Sequence, residues 1–266
     1  MTANKQKMSK REIRQRIKKA VKTEDGIIAT LISSKFSAFL LYFIGPSSIT
    51  PNQVSVFSLI LSFIAAYLLY LGEYWALVAG AIMIQVHFIF DCLDGELARF
   101  HERPSIYGGW LDQMIDRISE FLFIMGLTWG IYNQTGDWWL WPLGSMAFFS
   151  LFMYYFSDAA ISPLIRREQE KGKDVEVPAS MAQTGAATTA DVLGDSLVSR
   201  MKRILVKMGV KGSFLSTILG RDMQLFMISL AAVTNLTVPL FIFFSTVLNA
   251  YWILRSYRYW VRRIAA

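Results

Sequence analysis

Long apolar runs constrain this chain more than any other feature. Several stretches each hold the roughly 20 mostly apolar residues that cross a bilayer core as a helix. The first extends from Pro51 to Leu71, with Thr50 as N-cap and Pro51 at the first helical position. Further spans are expected over 74–100, 105–132, 138–164, 221–236 and 239–261, of which the fifth is short. The predicted fold is an all-α integral membrane protein with six transmembrane helices. A basic arm, residues 1–25, precedes one membrane domain, residues 26–262, and the only long loop lies at 165–220.

The charges fit that reading because they are segregated. The chain is 54% hydrophobic and 18% charged yet carries a net +7, against about 45–50% and about 25% in soluble chains. With six spans, three short turns share one face: 72–73, 133–137 and 235–238. None of them contains Lys or Arg. The arm from Lys5 to Lys22 holds nine basic residues, the 165–220 loop nine more, and the stretch from Arg255 four. The positive-inside rule then puts both termini, the turn at Pro104 and the long loop in the cytoplasm of a multi-pass cell-membrane protein. The partner implied by the basic excess is the lipid bilayer, and no nucleic acid is called for. Aromatic residues at 14% exclude a disordered chain, and a single cysteine, Cys92, excludes a disulfide scaffold.

Two pieces do not span. Residues 26–45 are apolar but interrupted by Ser33, Ser34 and Lys35. No small-residue cleavage site follows them, so a cytoplasmic interfacial amphipathic helix fits better than a signal peptide. In the 165–220 loop, Val192, Leu193, Leu197, Ile204, Leu205 and Met208 oppose Arg200, Lys202, Arg203 and Lys207, which reads as a second surface-bound stretch, with a solvated charged linker as the alternative.

Ionisable residues inside a span are expensive and mark function by default. The second and third helices carry Asp91, Asp94, Asp112 and Asp116, with Arg99, Arg117 and Glu120 nearby. Asp91 and Asp94 are i, i+3, and Asp112 and Asp116 are i, i+4, so each pair shares a helical face. A hairpin turning at Pro104 puts Asp94 and Asp112 roughly 15 and 12 Å from the turn at the helical rise. Four carboxylates at one depth must take up protons or hold cations. An all-oxygen set suits Mg²⁺, Mn²⁺ or Ca²⁺, and two divalent ions would balance it. Gly95, Ala98 and Gly108 share these faces and leave room for a flat group beside the acids. Such a binuclear site serves a diphosphate-bearing substrate.

The competing function is an acid-lined ion- or proton-coupled transporter. All four acids, however, fall on one hairpin at the cytoplasmic end. The outer parts of the helices lack the ionisable residues that a through-path would use.

The pattern Asp91-x-x-Asp94-Gly95-x-x-Ala98-Arg99, eight residues, Gly108, three, Asp112, three, Asp116 resembles the CDP-alcohol phosphotransferase signature at every fixed position. The six-helix count, the interfacial helix and the run Thr50-Pro51-Asn52-Gln53-Val54-Ser55 resemble that family too. The resemblance implies an enzyme that moves a phosphoalcohol or phosphatidyl group from a CDP-linked donor to an acceptor hydroxyl, with release of CMP. Asp91, Asp94 and Asp112 would hold two divalent cations, Mg²⁺ first and Mn²⁺ as substitute. Asp116 would complete the metal shell and accept the hydroxyl proton. Gly95, Ala98, Arg99, Ser105 and Gly108, with Asn52, Gln53 and Ser55, would contact the CDP donor. The family also implies a homodimer.

Arg166, Arg167, Arg221, Arg255 and Arg258 lie at cytoplasmic helix ends. They would suit an anion pocket for a phosphorylated acceptor such as inositol phosphate or glycerol phosphate. The run Gly220-Arg221-Asp222-Met223-Gln224-Leu225-Phe226 resembles the di-myo-inositol-phosphate-phosphate synthase branch. His87, on the face of Asp91, reads as a hydrogen-bonded core residue, and Cys92 as packing. The cluster Trp138-Trp139-Leu140-Trp141 reads as an outer aromatic belt.

Overall fold

A computed structural model describes residues 9–21, 33–170 and 219–264, and every regular element among them is helical. In chain order these are α1 (Lys10–Ala20), α2 (Ser34–Ile44), α3 (Pro51–Leu71), α4 (Tyr74–Phe100), α5 (Ile106–Thr135), α6 (Leu140–Glu170) and α7 (Arg221–Thr234). Then come α8 (Thr237–Phe243), a π turn (Phe244–Leu248) and α9 (Asn249–Ile264), which continue one another. Pro51–Leu71, Tyr74–Phe100 and Thr237–Tyr257 are long and apolar enough to cross a membrane. α5 has the length but carries Asp112, Asp116, Arg117 and Glu120, and α7 has only 14 residues.

Local chemistry sets the helix ends. At the start of α3, Thr50 Oγ1 accepts from the Gln53 N–H at 3.3 Å, and Gln53 Oε1 accepts from the Thr50 N–H at 2.9 Å. This reciprocal capping box satisfies two donors that helix geometry leaves unpaired. Gly72 and Gly136 end α3 and α5 in the left-handed region, at φ of 74° and 72°. The α4–α5 hairpin turns through 101–105, and Ser105 opens α5 by accepting the Gly108 N–H at 2.9 Å.

α3 lies against both arms of the hairpin, and α7 packs along α4. α6 joins α5 to the α8–α9 rod. The main core includes Leu69, Ile84, Phe123, Leu127, Ile228 and Phe241. Close approach of α3 and α5 depends on Gly126, where an added Cβ would stand 2.7 Å from the Ala66 carbonyl oxygen. Small residues of this kind let backbones meet where lipid supplies no hydrophobic drive. Across α6 and α9, Asn249 Nδ2 donates to Ser150 Oγ at 2.8 Å, and Trp252 Nε1 donates to Asn249 Oδ1 at 2.7 Å.

Residues 10–20, expected only as part of a basic arm, form a helix. Ile13 and Ala20 are buried with Leu41, Val54, Leu93, Leu97 and Phe100, and Ile17 packs beside them. The expected interfacial segment 26–45 contains α2, while its first residues and the amphipathic stretch 190–208 lie outside the described residues.

The Gly126 contact yields a stability test. Gly126→Val should destabilise the detergent-solubilised protein by about 1–3 kcal/mol, seen as a lower Tm. Gly109→Ala, where a Cβ meets nothing within 4 Å, should stabilise by up to about 1 kcal/mol.

Candidate active site

The hairpin brings carboxylates from its two arms together. Asp91 on α4 and Asp112 and Asp116 on α5 each offer an oxygen, and these oxygens lie within 4.8 Å of one another. That spacing lets three oxygens face one hard cation. Asp94, one turn along α4, stands outside the tight group. It is buried and accepts from Ser55 Oγ of α3 at 2.5 Å. The four acids expected at one depth are thus a triad with a neighbour held by a third helix.

A guanidinium from α7 enters the group. At the first residue of α7, Arg221 NH1 lies 2.5 Å from Asp91 Oδ2 and NH2 lies 2.6 Å from Asp116 Oδ1. Its Nε stands 3.6 Å from Glu120 Oε1. Glu120, one turn beyond Asp116, also binds Arg117 NH1 at 2.6 Å, and Arg117 NH2 is 3.8 Å from Asp116 Oδ2. The Arg117 guanidinium carbon lies 3.9 Å from the centre of the Tyr155 ring on α6. Tyr155 donates its hydroxyl to Gln224 Oε1 at 2.8 Å, and Gln224 Nε2 donates to the Leu219 carbonyl at 2.7 Å. Four elements therefore brace one carboxylate cluster.

Arithmetic of charge supports a cation site. Asp91, Asp94, Asp112, Asp116 and Glu120 outnumber Arg117 and Arg221 five to two. Two guanidinium ions leave an excess of negative charge that a divalent ion can balance in a low-dielectric setting. The oxygen-only donor set fits Mg²⁺ or Mn²⁺.

The other expected contacts divide between gathered and scattered. An added Cβ on Gly108 would stand 2.9 Å from Ser105 Oγ and 3.5 Å from Asn52 Oδ1, so the start of α5 meets the start of α3. The Arg99 guanidinium folds back over Gly95, its NH1 3.3 Å from where a Cβ would stand. Arg99 Nε donates to the Ala20 carbonyl of α1 at 2.5 Å. Gln53 uses its side chain in the capping box, and Ala98 is partly buried on α4.

Of the five arginines expected to form an anion pocket, Arg221 and Arg255 have described side chains, and each pairs with carboxylates. Arg221 joins the acids. Arg255 pairs with Asp158 and donates to Ser157 Oγ at 2.5 Å and to the Tyr154 carbonyl at 3.2 Å. A buried guanidinium settles on carboxylates close at hand, because an uncompensated charge is costly. Side chains of Arg166, Arg167 and Arg258 lie outside the described set. His87 contacts the Ser58 carbonyl at 2.9 Å. Tyr155 and Gln224 were not legible beforehand, whereas Glu120, one turn after Asp116 on the same face, carried a local signal.

Residues 48–189 match the CDP-alcohol phosphatidyltransferase family, just over half of the chain, and the protein belongs to that family. Among individual proteins, it is 33% identical over 112 residues to a bifunctional IPC transferase and DIPP synthase of Aquifex aeolicus, covering 42% of this chain and 25% of that one. It is 38% identical over 82 residues to an archaetidylinositol phosphate synthase of Pyrococcus horikoshii, covering 31% of this chain and 42% of that one. The chain thus spans less than half the length of these curated relatives. A crystal structure of Mycobacterium tuberculosis phosphatidylinositol phosphate synthase with CDP-DAG bound aligns over 78% of this chain and 93% of that one. The identity there is 22% and the TM-score 0.40.

Glu120 supports a direct test. Glu120→Ala takes away the 2.6 Å partner of Arg117 while leaving Arg221 with Asp91 and Asp116, and should cost about 1–3 kcal/mol of stability. Thermal unfolding in detergent reads this loss, and an unchanged Tm would contradict the bracing role.

Proposed function

We propose that this chain transfers a phosphoalcohol or phosphatidyl group from a CDP-linked donor to an acceptor hydroxyl. The carrying observation is the convergence of Asp91, Asp112 and Asp116 from both halves of the signature within 4.8 Å. In the reaction, the acceptor oxygen bonds to the donor phosphorus that bears the alcohol, and the bond from that phosphorus to CMP breaks. Family membership supports this class of chemistry, and names among its relatives favour inositol-containing phosphate products.

Asp91, Asp112 and Asp116 would hold one divalent cation, with Asp94 contributing to a second. Such ions, Mg²⁺ first and Mn²⁺ as substitute, neutralise charge on a diphosphate during phosphoryl transfer. Arg99, poised over Gly95, offers its guanidinium to the diphosphate. Asn52, Ser105 and Gly108, gathered at the adjoining starts of α3 and α5, shape the nucleotide side, and Ser55 fixes Asp94. Ala98 and Gln53 contribute surface and helix placement there.

Asp116 accepts the proton of the acceptor hydroxyl. A general base must reach its proton at hydrogen-bond distance, and Arg117 and Arg221 hold this carboxylate in place. Arg166, Arg167 and Arg258 remain candidates for a phosphorylated acceptor. Arg221 would reach one from the edge of the acids.

The proposed topology is six spans with both termini in the cytoplasm, and the basic asymmetry of the loops supports it. α2 is interfacial in this reading, with Phe36, Phe39 and Phe43 exposed along one row toward lipid. A homodimer in the cell membrane completes the proposal.

Purified protein in detergent should release CMP from CDP-diacylglycerol, CDP-inositol or CDP-glycerol only with a divalent cation and an acceptor, with the product scored by mass. A transporter would release none. Asp116→Asn should retain donor binding but lose about 10²–10⁴-fold in turnover. Undiminished transfer by that variant would remove Asp116 from the base role.

A further inference from the structure

α1 combines two faces of opposite character. Ile13, Ile17 and Ala20 point inward onto α2 and α4. Lys10, Arg11, Arg14, Lys18 and Lys19 are exposed along the outside, and Gln15 is the lone uncharged residue among them. Its single acid, Glu12, pairs with Arg16 at 3.5 Å. An eleven-residue helix is marginal by itself, and the like charges Lys10–Arg14 and Arg14–Lys18, each i, i+4, work against it. A layer of negative charge against the outer face would relieve that repulsion.

Its neighbours indicate where such a layer lies. α2, against which α1 packs, exposes Phe36, Phe39 and Phe43 at 57, 62 and 61%. A phenylalanine row beside a basic helix is the arrangement of an acyl boundary next to headgroups. We propose that the outer face of α1 docks on the anionic headgroups of the cytoplasmic leaflet. Basic segments at that surface gain on the order of fivefold in binding for each Lys or Arg.

The same helix touches the candidate active site. Its last residue, Ala20, accepts Arg99 Nε at 2.5 Å, so an arginine caps the negative end of the helix dipole. Arg99 is thereby held between α1 and Gly95. Docked α1 presets the orientation of Arg99, and leaflet charge tunes donor affinity. This coupling rests on the donor role proposed for Arg99, whereas the docking does not.

The test uses the full chain in nanodiscs, with amide hydrogen exchange read across residues 10–20. Exchange should be about fivefold slower or more in phosphatidylcholine discs containing phosphatidylglycerol than in phosphatidylcholine alone. High salt should reverse the effect. Replacing Lys10, Arg11, Arg14, Lys18 and Lys19 with Gln should remove it, and R11K/R14K should keep it. Equal exchange of the wild type in the two discs overturns the proposal. So does equal protection by soluble inorganic phosphate in neutral discs, which would indicate a discrete anion site. With donor turnover as a second readout, the five-Gln variant should raise KM for CDP-diacylglycerol in anionic discs at unchanged kcat, and an unchanged KM removes the coupling. If no CMP is released by any form while α1 still responds to lipid charge, the proposed reaction fails and the docking stands.

Discussion

The structure is organised around an excess of buried negative charge. Five carboxylates on two adjacent helices cannot share one small volume without positive partners. Arg117 comes from the same helix as three of them, but Arg221 comes from α7, far along the chain. The position of α7 against α4 is therefore an electrostatic requirement as much as a packing preference. Its N-terminal arginine must reach Asp91 and Asp116 together, which sets both its register and its rotation.

Around that centre the remaining contacts act as stops. Ser55 ties Asp94 to α3, while Tyr155 and Gln224 tie Arg117 to α6 and α7. Glycine at 126 lets α3 and α5 meet closely enough for these reaches to be short. A site held by rigid helices keeps its donors within the narrow geometry that phosphoryl transfer rewards.

Much of this was legible in the sequence because its cause is local. Thr50, Pro51 and Gln53 define the start of α3 within four residues, and the apolar runs place α3 and α4 at their observed bounds. The spacing of Asp91, Asp112 and Asp116 around one turn announces their meeting. Arg221 was expected beside a phosphorylated acceptor, and its pairing with Asp91 and Asp116 was not foreseen, because that depends on how α7 is placed, which no nearby pattern encodes. α1 was hidden for a different reason. Six basic residues dominate its eleven, and only Ile13, Ile17 and Ala20, at i, i+4 and i+7, reveal an inward face. Asp94 was expected in the same group as the other acids, but Ser55, one turn into α3, donates to it and holds it one step apart.

The π turn at Phe244–Leu248 has a bearing on how the last helix could be altered. One extra residue in a helical turn advances everything after it by about 100°. Asn249 and Arg255, which join α9 to α6, follow that turn, so their direction depends on its residue count. Removing one residue there would leave the composition and hydrophobicity of the span almost untouched, yet it would swing both side chains away from α6 toward a different neighbour. Partner choice at this end of the protein is therefore governed by a count of residues, and a gap of one in an aligned relative would signal a differently wired α6–α9 contact.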